Sequence, residues 1–84
     1  MSQSVTRPHE AVLEFDFADP ERARRVARSV RVEVGDIDGD RSGATVDRDA
    51  ATVTVTVRAD DLTALRAGVN TWSGLVSVAE RCAF

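Results

Sequence analysis

Few residues of this chain could do chemistry, and they are scattered. His9 is the only histidine and Cys82 the only cysteine. They stand at opposite ends of the sequence with no nucleophile motif around either, so a base-activated nucleophile has no support. Asp36-Ile37-Asp38-Gly39-Asp40 alternates acids like the start of a calcium loop. Arg41, however, stands where such a loop needs its sixth-position glycine, and Asp47 where it needs a bidentate glutamate. The segment reads as a solvated acidic loop. No glycine-rich phosphate loop, zinc-ligand spacing or aromatic-rich RNA-binding strand occurs. What remains is cationic: Arg22, Arg25 and Arg28 recur at helical spacing, with Arg24 and Arg31 to one side. Such a strip is ordinarily a solvated face. Its functional alternative is contact with RNA phosphates, which guanidinium forks suit. The expectation is a chain that is no enzyme, holds no metal or cofactor, takes no small-molecule substrate, and works by binding macromolecules.

Length and composition narrow the class. Eighty-four residues make one domain at most, and a domain this small buries a modest core that a partner often completes. No apolar run approaches the roughly 20 residues of a membrane span. Met1-Ser2-Gln3-Ser4-Val5-Thr6-Arg7-Pro8 lacks the apolar stretch and cleavage site of a secretory signal, and a lone cysteine excludes an internal disulfide. These features predict a soluble, cytoplasmic protein without membrane contact. All eleven basic residues are arginine, and nine of the fourteen acids are aspartate. Short, strongly hydrated Asp in place of long-stemmed Lys suits water of low activity. The salt-rich cytoplasm of a halophilic archaeon is one reading; a high-GC genome, which also replaces Lys by Arg, is the other. High salt screens long-range attraction and weighs against the arginine strip as a strong RNA site.

The elements that position these residues follow from periodicity. Residues 1–8, aperiodic and ending in Pro8, are read as a flexible lead, and residues 9–84 as one α+β domain. From Glu10 to Phe17 the chain alternates, with Ala11, Leu13, Phe15 and Phe17 on one face and Val12, Glu14 and Asp16 on the other, a half-buried strand. Asp19-Pro20-Glu21 supplies an N-cap, a first-turn proline and an early acid. The helix they start runs to about Val34, with one narrow apolar stripe of Ala23, Val26, Ala27 and Val30, and Gly35 ends it. After a loop from Gly35 to Gly43, Ala44–Asp47 and Ala51–Arg58 form a hairpin around Arg48-Asp49-Ala50. Every residue from Thr52 to Val57 is β-branched, which disfavours helix; Val53, Val55 and Val57 should face the core and the threonines solvent. A long helix follows from Asp60 or Asp61 to about Cys82, roughly 33 Å at the usual rise. A right-handed crossover from the first strand to the second leaves room for the third between them. The result is a β-α-β-β-α two-layer sandwich, a three-stranded antiparallel sheet with both helices on one face. Its first and second strands are free edges, where another chain can pair.

The last helix carries more apolar surface than one contact needs. Leu62, Leu65, Val69, Trp72, Val76 and Ala79 cluster on a stripe expected to cover the sheet. Ala64, Gly68, Thr71, Leu75, Val78 and Cys82 form a second stripe beside it. Together they span on the order of 200°, leaving a polar strip of Arg66, Asn70, Ser73 and Ser77. One stripe folds the monomer. The other is expected either to meet a second helix from a partner, for which its small residues allow a close approach, or to be covered by the first helix of the same chain.

Ala59-Asp60-Asp61-Leu62-Thr63-Ala64-Leu65-Arg66-Ala67-Gly68-Val69-Asn70-Thr71 resembles the strand-ending Ala-Asp, followed by a helix with Leu-Arg-Ala and Asn-Ser, of the Pcc family, the small dimerising subunit of the archaeal KEOPS complex. Thr71 replaces the usual serine. The strand His9–Phe17, Ala23-Arg24-Arg25-Val26 and Ser29-Val30 also fit, so the likeness runs from about His9 to Ala83. It implies a non-catalytic subunit of the machinery that places threonylcarbamoyl on adenosine 37 of tRNAs. In that family the subunit dimerises through its sheet, packs its helices against the N-terminal helices of the catalytic threonylcarbamoyltransferase subunit, and has tRNA as a further candidate partner. Leu65, Arg66, Ala67 and Asn70 match the family's motif. The expected protein-partner interface is therefore Ala64, Leu65, Arg66, Gly68, Asn70, Thr71, Leu75 and Val78. The rival reading is a free-standing RNA-binding module using Arg22, Arg25 and Arg28.

Overall fold

The computed structural model describes residues 7–34 and 42–82. Most of the expected lead (1–6), the acidic loop 36–40 and the last two residues lie outside the described residues. Five elements follow one another: β1 (His9–Asp16), α1 (Pro20–Arg31), β2 (Ser42–Asp49), β3 (Thr52–Ala59) and α2 (Leu62–Cys82). The strands form one antiparallel sheet in the order β1-β3-β2, so the valine–threonine strand is central and β1 and β2 are its edges. This is the expected α+β arrangement, and its cause is visible in the central strand. Val53, Val55 and Val57 are buried towards the helices, while Thr52, Thr54 and Thr56 point to the other face.

Both helices lie on the valine side. α1 covers β2 and β3, α2 covers β3 and β1, and the two pack against each other. The core joins Ala23, Val26, Ala27 and Val30 of α1 to Ala44, Val46, Val53, Val55 and Val57 of the sheet and to Trp72 and Val76 of α2. Asp19 caps α1 as its spacing requires: its Oδ1 accepts the Arg22 N–H at 2.8 Å, with Pro20 behind it in the first turn. Asp61 does the same for α2, accepting the Ala64 N–H at 2.8 Å. The opposite face of the sheet is polar. Glu10 lies across from Arg58, which donates to it at 3.2 Å, and Asp16 across from Thr52, whose hydroxyl donates at 2.7 Å.

Several boundaries differ from expectation, and β2 already begins at Ser42, inside the stretch expected to be loop, rather than at Ala44. α1 stops at Arg31 rather than near Val34, and the Glu33 N–H closes onto Val30 O at 3.0 Å. Val32, the residue after Arg31, is 71% exposed. The hairpin turn is tighter than the expected three residues, because Arg48 and Asp49 pair with Val53 and Thr52, leaving only Ala50-Ala51 between the strands. The ladder gains backbone bonds, and Ala50 takes φ 54°. β1 ends at Asp16, although Phe17 still donates its N–H to Ala51 O at 2.9 Å.

Candidate functional site

α2 sits on the sheet along a line set by its largest buried side chain. Trp72 is 1% exposed and Val76 2%, and with Leu65 and Ala79 they define the sheet-facing centre of the helix. Two expected placements are corrected here. Gly68 belongs to this centre and not to an outer flank, since a Cβ on it would lie 2.7 Å from Val57 Cγ1. The glycine lets the helix backbone press onto the strand where any side chain would collide. Leu62, expected to cover the sheet, is 60% exposed, because it stands in the first turn and at one edge of the apolar arc.

The other flank of α2 turns towards α1, and there the second stripe divides. Ala64 is half-buried, and Leu75 is packed against the core. Thr71, Val78 and Cys82 are exposed, Val78 by 51%. Between the C-terminal halves of the helices lies a groove of about 240 Å³ lined by Ser29 and Val30 from α1, Glu33 from the turn after it, and Leu75, Val78, Ala79 and Cys82 from α2. Its wall is the i, i+3, i+4, i+7 row of α2 against Ser29 of α1 and Glu33 in the turn that follows it. α1 thus covers part of the spare stripe and leaves its C-terminal half open. Leu75, Val78 and Ala79 make it apolar on the α2 side, while Ser29 and Glu33 add polar groups on the other.

Of the expected interface residues, the structure brings Leu75 and Val78 together in this groove. Leu65 and Gly68 serve the chain's own packing, while Arg66 and Asn70 are exposed on the side of α2 away from Thr71 and Val78. Ser29, Glu33, Ala79 and Cys82 belong to the groove and were absent from the expected interface. Their signal was present in the sequence, as the continuation of the Leu75–Val78 row by one turn and the flanks of Val30.

The arginine strip is largely engaged within the chain. Arg24 and Arg25 both donate to Glu21, at 2.6 and 3.2 Å, and the hydrogen bond from Arg24 holds the Glu21 carboxyl below its usual range while raising the guanidinium's own. Arg31 turns its Nε to Val46 O at 3.3 Å, and Arg22 is half-buried and engaged. Arg22, Arg25 and Arg28 therefore do not form a row of three free forks. His9 begins β1 opposite Ala59, at the end of the sheet where α2 starts, and Cys82 lies at the far end of that helix, roughly 30 Å along its axis. They do not meet. Among the described residues no group of three or more His, Cys, Asp or Glu could hold a metal ion, and no helix is long and apolar enough to cross a membrane.

No curated protein matches the chain at a significant level. A family model does: residues 10–83, from the first strand through the groove and beyond it, match the family described as transcription factor Pcc1, and the chain belongs to the Pcc1 family.

Proposed function

We propose that this chain is a non-catalytic assembly subunit of the KEOPS type, which dimerises and seats the catalytic threonylcarbamoyltransferase subunit for tRNA threonylcarbamoyladenosine formation. Family membership supports a non-catalytic subunit associated with tRNA modification. The observation that carries the rest is the open groove between α1 and α2, whose lining continues an apolar row the monomer leaves half used. An amphipathic helix laid there would cover Val78 and Cys82 and complete a bundle with α1 and α2. The free-standing RNA module has less behind it, because Glu21 holds two of the arginines and the β2 backbone a third.

The test mixes the purified chain with a purified catalytic subunit of this class and measures complex formation by size-exclusion chromatography with light scattering. Wild type is expected to bind, and Val78→Asp, which buries a carboxylate in the seat, is expected to lose the complex while its thermal melt stays that of wild type. An undiminished complex with Val78→Asp removes the groove from the interface.

A further inference from the structure

Glu33 is the one charged side chain among the residues that line the groove between α1 and α2. It is half-buried in the turn after α1, where its N–H bond to Val30 O at 3.0 Å fixes the backbone. Among the described residues it makes no ion pair, whereas Glu21, at the other end of the same helix, receives both Arg24 and Arg25. No arginine of either helix is left to turn towards it. Arg25, one turn before Ser29, is held by Glu21, and Arg22 is engaged. Arg31 donates to Val46 O. By helical spacing Arg28 lies opposite the buried stripe of α1, Arg81 lies opposite Trp72 on α2, and Arg66 sits on the flank of α2 away from the groove. The margin of the groove therefore holds a carboxylate that the chain positions and does not pair.

We infer that the groove selects its occupant by charge, taking an amphipathic helix that sets an arginine against Glu33 beside the apolar stripe it lays on Leu75 and Val78. The inference rests on the reading of this groove as the seat of a catalytic subunit, and adds what the partner's helix must carry. An apolar helix lowered onto Leu75 and Val78 strips water from the neighbouring carboxylate. Unpaired, Glu33 opposes that docking; met by a cation, it supports it. Arginine suits this margin better than lysine. Ser29 lines the same side of the groove as Glu33, so the margin offers a hydroxyl and a carboxylate to the several donors of one planar guanidinium. Leu75, Val78 and Ala79 attract any apolar helix, because burial of methylenes has no direction. Glu33 adds the discrimination: it repels a helix whose flank is acidic and holds one whose flank is basic.

Calorimetry of the full chain with a purified catalytic subunit of this class tests this at about 0.1 M and 1 M KCl, between which the screening length falls from roughly 10 Å to 3 Å. Glu33→Gln keeps the size of the side chain and removes its charge. It is expected to weaken binding roughly tenfold at the lower salt, with the thermal melt of wild type retained. Wild type should lose affinity towards 1 M KCl, and the Gln variant, with no charge there to screen, should change less. Glu33→Arg is expected to bind more weakly still, and changing one arginine of the partner's seated helix to Glu should restore that variant's binding. Maleimide labelling of Cys82, which lines the same groove and is exposed, reports separately whether the seat is filled. If the complex shields Cys82 while Glu33→Gln and Glu33→Arg bind like wild type at both salt concentrations, selection by charge is overturned and the seat stands. If the catalytic subunit leaves Cys82 open to label, or does not bind, the reading of the groove fails and this inference falls with it.

Discussion

α1 and α2 cover the same sheet, yet only one of them is used up in doing so. The four stripe residues of α1, Ala23, Val26, Ala27 and Val30, are all buried, and every residue of the helix outside that stripe is polar except its first-turn proline. α2 is nearly twice as long, 21 residues against 12, yet only Trp72 and Val76 are buried along it. Leu62 and Val78 remain exposed on its two flanks. A helix whose apolar stripe equals its buried stripe is explained by the monomer. One with apolar arc to spare has surface that the monomer does not use.

The strongest test of this contrast is to remove the anchor of each helix in turn. Trp72→Ala should cost about 3–5 kcal/mol of stability in urea unfolding, since it empties the largest fully buried side chain in a small core. Val26→Ala, the matching deletion in α1, should cost roughly 1.5–3 kcal/mol. Equal costs would mean that α2 is not pinned through its centre line, and that its flanks are less fixed in orientation than the groove requires.

That centre line is also where sequence reading reached its limit. The element order, the central valine strand, the Asp19 cap and the whole α1 stripe were legible, because each depends on local spacing and chemistry. The rotation of α2 was not. An arc of on the order of 200° has no single best direction, and a helical wheel weighs Leu62 like Trp72 and ignores glycine. Packing chose instead by volume: the indole sank, the backbone closed onto Val57 at Gly68, and Leu62 was left at the margin. The open groove was equally hidden, since it depends on where α1 stops, and that stop comes at Arg31, three residues earlier than its periodicity suggests. The arginine strip misled for a simpler reason. Glu21, counted as a helix-start signal, is also the partner of Arg24 and Arg25 one turn on.

Glycine substitutions sharpen the contrast within α2. Gly68→Ala should destabilise by about 1–3 kcal/mol in spite of alanine's better helix propensity, because the new methyl meets a buried valine that has no room to turn. Gly74→Ala meets nothing within 4 Å on an exposed position and should stabilise by up to about 1 kcal/mol. Thermal melts of the two variants should therefore move in opposite directions. Movement in the same direction would show that Gly68 is not the point of closest approach.

The smallest effect on stability should come from the residue on which the partner reading leans most. Val78 is half exposed at the groove margin, and serine has a similar helix propensity, so Val78→Ser should change the free energy of unfolding by no more than about 0.5 kcal/mol. A side chain that the monomer can lose at no cost, on a helix that already holds its sheet through Trp72, is not one on which folding depends. The same variant should weaken binding of the catalytic subunit measurably by calorimetry, because an apolar anchor in a helix seat is replaced by a hydroxyl that must be desolvated there. A cost to folding comparable with that of Val26→Ala would instead assign Val78 to the core, and the surplus on α2 would shrink to Leu62 at the opposite flank.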